Sequence, residues 1–283
     1  SIPEEQTLTI LLSSLTVSDI DNPQTDLSVE IQADDHYSVV TANSLLPEEN
    51  YNGILSVNLV VNDLESLSAV FAAEVTVTPV NDAPVIDPIP DQEITEGSLF
   101  TDINLDDFVE DVETSDALIT WTYSDDTYLQ VTIVDRVANI TVPHQDWTGS
   151  DTIIFIATDD DATTPLSDSD TVIFTVSIVN DPPVISGQQA ISSPEDQILK
   201  ILLSSLNVSD VDNPLTDLLV EIQAGVHYTM LGADSLVTEE NYNGTLSVNL
   251  VVRDLVSSSD VFAAEATITP VNDAPVIDSI PDQ

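Results

Sequence analysis

Val80-Asn81-Asp82-Ala83-Pro84-Val85-Ile86 returns as Val179-Asn180-Asp181-Pro182-Pro183-Val184-Ile185, and again as Val271-Asn272-Asp273-Ala274-Pro275-Val276-Ile277. The spacings are 99 and 92 residues. Self-similarity at a near-fixed period is the signature of tandem structural units. Around the phrase the match widens: residues 3–86 align without gaps on 194–277, and 61 of the 84 positions are identical. The middle unit has diverged but keeps the punctuation. The order is therefore A, B, A′, with expected boundaries at 1–86, 87–185 and 186–277. Asp278–Gln283 resembles Asp87–Gln92 and is expected to open a further repeat of the B type.

Each unit reads as all-β. In the middle one, Ile119–Tyr123, Leu129–Val134, Val137–Val142, Ile153–Thr158 and Thr171–Ile178 are short runs rich in Val, Ile, Thr and Tyr. Several alternate apolar with polar residues, as a half-buried strand must. The first unit does the same in Leu27–Gln32, Ile54–Val61 and Val70–Val77. Acidic, Asn- and Pro-containing clusters separate the runs, and no segment sustains a capped helical period. Short strands at this spacing in units of this length predict a seven-strand Greek-key sandwich per repeat. The linkers carry Pro84, Pro88 and Pro90, or Pro182 and Pro183, and no Gly-Ser tract. Proline fixes φ and restricts its predecessor, so stiff linkers and an extended rod are expected.

The charge is lopsided. Asp and Glu number 51 against 3 Lys and Arg, for a net charge of −48 on 283 residues. Such a surface repels nucleic acid and anionic membranes, so neither is an expected partner. The hydrophobic fraction of 42% is ample for packed cores, which removes disorder as the meaning of the acidity. With no cysteine, disulfides cannot brace the units. No apolar run approaches the ~18 residues of a membrane span, so no direct insertion is expected.

The acids recur in register. Asp19-Ile20-Asp21-Asn22 returns as Asp210-Val211-Asp212-Asn213, and as Asp111-Val112-Glu113 in the middle. In extended backbone, residues i and i+2 point the same way. Two carboxylates aimed together at ~4 Å repel by about 1 kcal/mol even in water, and a hard cation reverses that sign. Ca²⁺ takes six to eight carboxylate, amide, backbone and water oxygens, whereas Mg²⁺ holds a smaller octahedron and keeps its waters. The Asn-Asp pairs add one neutral and one charged donor beside a proline-fixed backbone. A further acid follows a strand at Asp63, Asp159 and Asp254, and a Glu opens each unit at Glu4, Glu96 and Glu195.

With these residues in view, the stretch IFIATDDDATTPLSDSDTVIFTVSIVNDPPVI (Ile154–Ile185) resembles the end of a cadherin repeat. The resemblance covers the chain once per repeat. It is closest to the cadherin-like repeats of very large bacterial surface adhesins, which end in this Val-Asn-Asp-x-Pro-Val phrase. It implies a calcium cluster of one to three ions at each junction. At the first, it implies Glu4, Glu48, Asn81 and Asp82 from one side, with Asp111, Glu113 and Asp159 from the other. At the second, it implies Glu96, Asn180, Asp181, Asp210, Asp212 and Asp254. Asp146 joins them, because Gln145-Asp146-Trp147 stands where Glu48–Asn50 stands. Outer half-sites follow at Asp19, Asp21 and Asp63, and at Glu195, Glu239, Asn272 and Asp273. The sequence departs from the family at the first linker acid, near which Pro79, Ser177 or Ile178, and Pro270 stand, and lacks the Asp-Arg-Glu motif.

Other chemistries are poorly served. No Gly falls at loop position six after Asp19 or Asp210, which excludes an EF-hand. His36, His144 and His227 are too scattered for a zinc site. Trp121, in a strand, is expected in the core, and Trp147, in a loop, is the one candidate for stacking on a sugar. No Gly-x-Ser-x-Gly, phosphate loop or His-Glu-x-x-His is present, and acids that are alike at every junction lack the split environments that acid–base catalysis needs. The chain is thus expected to be a non-enzymatic, extracellular calcium-binding extender or adhesion module on a bacterial cell surface. The alternative is a carbohydrate-binding or homophilic module on the same stiffened repeats. The expected partners are Ca²⁺, flanking repeats of the same chain, and glycans or like repeats on another cell.

Overall fold

The structure, a computed structural model, describes residues 1–275, so the Val276–Ile277 and Asp278–Gln283 expectations lie outside the described residues. These residues form two compact units. One comprises Ser1–Glu93, Leu99–Pro143 and Ser150–Thr175; the other comprises Ile94–Ser98, His144–Gly149 and the chain from Val176 onward. Both are built of β-sandwich sheets, and among the described residues the only helices are 3-10 turns of three or four residues. None is long and apolar enough to cross a membrane.

In the first unit, one sheet of the first sandwich runs in the order Ile2–Pro3, Phe71–Thr78, Gly53–Asn62, Ser28–Ile31. The facing sheet runs Leu8–Thr9, Ser44–Pro47, Tyr37–Thr41. The period of two fills the gap between them: Leu55, Val57 and Leu59 of the central strand are each at most 2% exposed. The opening strand pairs parallel with the last one, Ile2 opposite Val77, while its neighbours pair antiparallel. That arrangement is a Greek-key closure. In the second unit the A′ repeat reproduces it strand for strand, with Ile191–Pro194, Phe262–Thr269, Gly244–Arg253 and Leu219–Ile222 in one sheet. Gly53 and Gly244 enter their long strands at φ of 122° and 123°, a conformation that a side chain resists even where space is free.

The middle repeat pairs Thr120–Ser124 with Gly149–Thr158, Trp121 opposite Ala157. Trp121 is buried, and Phe100 meets Phe174 edge-to-face at 5.1 Å. One buried acid here is structural. Asp151 is 6% exposed, and its Oδ2 accepts the backbone N–H groups of Thr127, Tyr128 and Leu129 at 3.1, 2.7 and 2.9 Å. Burial alone would raise its pKa, but these bonds outweigh burial and hold it below the ordinary carboxylate range.

The linkers are tied down by carboxylates. Val85–Ile86 pairs antiparallel with Val109–Glu110. The Ile86 and Ile89 N–H groups donate to Asp168 and Asp170, each at 2.8 Å, and Ile173 N–H donates to Asp91 at 2.7 Å. The A′ linker strand Val184–Gln188 pairs in the same sense with Leu206–Ser209.

Replacing Asp151 by Ala strands three backbone donors and is expected to cost about 2–4 kcal/mol in denaturant unfolding. Its pKa is depressed in the fold, so its contribution is present above the unfolded value of about 3.9 and is lost as pH falls below that. The wild-type and Asp151→Ala unfolding midpoints should therefore converge in acid, and a constant gap down to the lowest pH would refute this role.

Candidate metal centres at the Asn-Asp segments

Each cluster is assembled by backbone turns that hold one oxygen of an acid and leave the other. Asp111 Oδ1 accepts the N–H groups of Glu113 and Thr114 at 2.9 and 2.6 Å. Asp210 Oδ1 does the same for Asp212 and Asn213 at 2.9 and 2.7 Å. Such Asx turns are a local preference of Asp followed by a bend. The opening glutamates are fixed likewise. Glu4 Oε1 accepts Val80 N–H at 2.7 Å, and Glu96 Oε1 accepts Val179 N–H at 2.5 Å. In every case the second oxygen is free. Glu4 Oε2, Asp111 Oδ2, Glu96 Oε2, Asp210 Oδ2 and Asn213 Oδ1 are all buried without a hydrogen-bond partner.

The linker then joins the acids. In the first unit, Asn81 Nδ2 donates to Asp159 Oδ2 at 2.8 Å, and Asp82 N–H donates to Glu113 Oε2 at 3.2 Å. In the second, Asn180 Nδ2 donates to Asp254 Oδ2 at 3.1 Å, and Asp181 N–H to Asp212 Oδ2 at 2.7 Å. The two clusters are thus chemical copies, with Glu113 in the role of Asp212. In the second, Glu96, Asp181 and Asp212 bring carboxylate oxygens within 4.8 Å of one another.

The electrostatics follow from the crowding. Burial, then the charges of Asp82, Glu4 and Asp111, push the Glu113 carboxyl up, against the Asp82 N–H bond that lowers it. The Ser257 N–H pulls Asp254 down to about 2, with Val256 N–H, Asn180 and the Ser257 hydroxyl assisting against burial. At Asp159 the Asn81 amide and the Leu166 and Asp161 N–H groups outweigh burial and lower the carboxyl. No side-chain cation relieves either cluster. The chain's three are engaged elsewhere: Arg136 with Asp106 at 2.8 Å, Lys200 with Asp234 at 3.1 Å, and Arg253 with Glu221 at 2.8 Å. Buried, unpartnered oxygens of like charge with no protein counter-charge fit an external hard cation.

The remaining sequence-derived candidates are placed differently. Glu48 and Glu239 face histidines, His36 at 3.3 Å and His227 at 2.9 Å, and each imidazole stacks on a tyrosine, Tyr51 or Tyr242. Asp146 is half-buried in the second unit. Asp19 Oδ1 caps Asp21 and Asn22 N–H at 2.9 Å, and Asp63 Oδ1 caps Glu65 and Ser66, so the outer set at the start repeats the local turns. Glu195 is buried but doubly bonded, to Val271 N–H at 2.7 Å and Asn243 Nδ2 at 3.3 Å. Asn272 and Asp273 are exposed. The structure adds Asn213, which sequence reasoning passed over although it directly follows Asp212 in the recurring Asp-x-Asp-Asn.

No family model matches the sequence, and no curated protein matches it. Solved structures do match. The protocadherin GammaB4 extracellular domain superposes with a TM-score of 0.56 at 15% identity, over 96% of this chain and 48% of that one. Mouse clustered PcdhgC3 EC1-3 gives 0.51 at 17% identity, over 93% and 92%. Human CDH23 EC21-23 gives 0.51 at 15%, over 86% and 88%. The chain spans about half the length of the protocadherin Gamma B2 and GammaB4 chains, 53% and 48%. At these identities the likeness defines a fold: this chain has tandem cadherin-type β-sandwiches.

Asp210→Asn keeps the oxygen that accepts the Asp212 and Asn213 N–H groups while removing one crowded charge. In cation-free buffer it is expected to stabilise the chain by about 1 kcal/mol in denaturant unfolding. A loss of stability would show that the cluster is not under like-charge stress.

Proposed function

We propose that this chain is a calcium-binding extracellular extender or adhesion module, of the kind found in large bacterial surface adhesins. Three cadherin-like repeats, 1–86, 87–185 and 186–277, would carry calcium at their linkers. The observation that carries the reading is the matched set of buried, unpartnered oxygens at Glu4, Asp111, Glu96 and Asp210, in a chain whose few cations are committed elsewhere.

Around the first linker the ion would be held by Glu4, Asn81, Asp82, Asp111, Glu113 and Asp159. Around the second it would be held by Glu96, Asn180, Asp181, Asp210, Asp212 and Asp254, with Asp146 and Asn213 at hand. Calcium supplies counter-charge to oxygens that otherwise repel across a linker, so the bound state favours one linker geometry. The fixed turns orient the donors and the prolines limit the linker's alternatives. The site's work is mechanical: acids that share one role at both linkers stiffen a surface-exposed chain and perform no catalysis.

Calorimetric titration is expected to show calcium binding, with Asp111→Ala removing sites at the first linker only and Asp210→Ala at the second only. The melting temperature should rise with free ion, each site adding about 2.7 kcal/mol of stability at one hundred times its Kd, and scattering should report a broader ensemble in chelator. No heat and no change in melting at about 1 mM Ca²⁺, within the affinity range of extracellular modules, would end the reading.

A further inference from the structure

The two linker clusters share one plan and equal charge. Around the first, the donor set given above has five acids: Glu4, Asp82, Asp111, Glu113 and Asp159. Around the second it also has five: Glu96, Asp181, Asp210, Asp212 and Asp254. Ligand charge and site rigidity together tune the affinity of an oxygen site for Ca²⁺. With charge equal, the clusters can differ only in how firmly the donors are held and in which neutral oxygens join them. They differ in both.

The first difference lies two residues after Asp111 or Asp210. Asp212 is half-buried, and its Oδ2 accepts Asp181 N–H at 2.7 Å. Glu113 is exposed and one rotatable bond longer, and its Oε2 accepts Asp82 N–H at 3.2 Å. The spacing follows. Glu96, Asp181 and Asp212 bring carboxylate oxygens within 4.8 Å of one another, and among the described residues no other three acids or histidines do so. The second difference is the next residue. Asn213 Oδ1 is buried without a partner, a neutral acceptor held in the same turn as Asp210. In the first cluster its place belongs to Thr114, which is 4% exposed and donates its hydroxyl to Asp160 Oδ1 at 3.1 Å. Three buried oxygens thus await a partner around the second linker, at Glu96, Asp210 and Asn213, against two around the first, at Glu4 and Asp111. Donors already ordered lose less freedom on binding than donors still loose.

We propose that the linkers take up calcium in a fixed order: the second, around Asn180-Asp181, fills first, and the first, around Asn81-Asp82, fills last and empties first. The order rests on the calcium reading above and adds a regulation to it. Asp212 and Asn213 set it, through a shorter acid and a free amide oxygen where the first linker has Glu113 and Thr114. The affinities are expected to differ about tenfold, well inside the span that ligand and rigidity changes cover in oxygen sites. Between the two dissociation constants the chain holds calcium at one linker and not at the other, so its stiffening is graded.

The test is calorimetric titration of CaCl₂ into the cation-free chain. Wild type should show two classes of site. Asp111→Ala, which leaves the second linker, should bind with a Kd about tenfold lower than Asp210→Ala, which leaves the first. The double variant Asp212→Glu, Asn213→Thr gives the second linker residues with which the first already folds. It should merge the two classes, with circular dichroism in chelator matching wild type. Glu113→Asp, at an exposed position, should tighten the weaker class severalfold. These last two are read in otherwise wild-type chains, so they decide the order even where an alanine variant fails to fold. Equal or reversed constants in the alanine variants, or two classes persisting in the double variant, overturn the order and leave the calcium reading standing. No heat in wild type overturns both.

Discussion

The structure turns on buried acids that have no basic partner. A carboxylate oxygen removed from water and given no donor costs several times what a surface ion pair returns. This chain places such oxygens at matched positions around both linkers while its three cationic side chains serve surface pairs. Among the described residues every basic side chain is paired elsewhere. The cost therefore falls on the cation-free fold, or on a proton or metal ion taken from solution, and the linkers are where the choice is made.

The division of labour between the two oxygens of each acid makes this possible. A turn captures Oδ1 with two consecutive N–H groups, and a linker N–H captures Oε1 of the opening glutamate. The captured oxygen fixes the side chain, and its partner is aimed by that fixation. A free surface aspartate would swing away from its like-charged neighbour, and these cannot. Asp151 shows the contrasting use of the same chemistry: three N–H groups on one oxygen satisfy it and pin a loop, and no unpartnered oxygen is left facing others of its kind.

Much of this was legible in the chain. The recurring Val-Asn-Asp-x-Pro-Val-Ile marked the linkers, and the period-two runs located the strands to within a few residues, as with Ile54–Val61 against Gly53–Asn62. The in-register Asp-x-Asp and the opening Glu pointed to clusters at the linkers. What was not legible is which acids serve structure. Nothing local distinguishes Asp168, Asp170 and Asp91 from the other acids, yet they tie the linker to a strand some eighty residues away. The cadherin resemblance implied Glu48 and Glu239 as cluster donors, and the fold turns them toward histidines.

The sequence by itself determined the repeat order, the β character and the acidic linkers, because periodicity and turn chemistry are local and survive in one dimension. Only the tertiary structure decided which oxygens are buried and unpartnered and which are satisfied. It also decided that Val61 and Phe71 line an open groove in the first repeat, whereas Val184–Gln188 pairs beside the matching residues of the third. Burial and pairing depend on which distant strand arrives beside a residue, and two stretches of almost the same sequence can differ there by the presence of a single neighbouring strand.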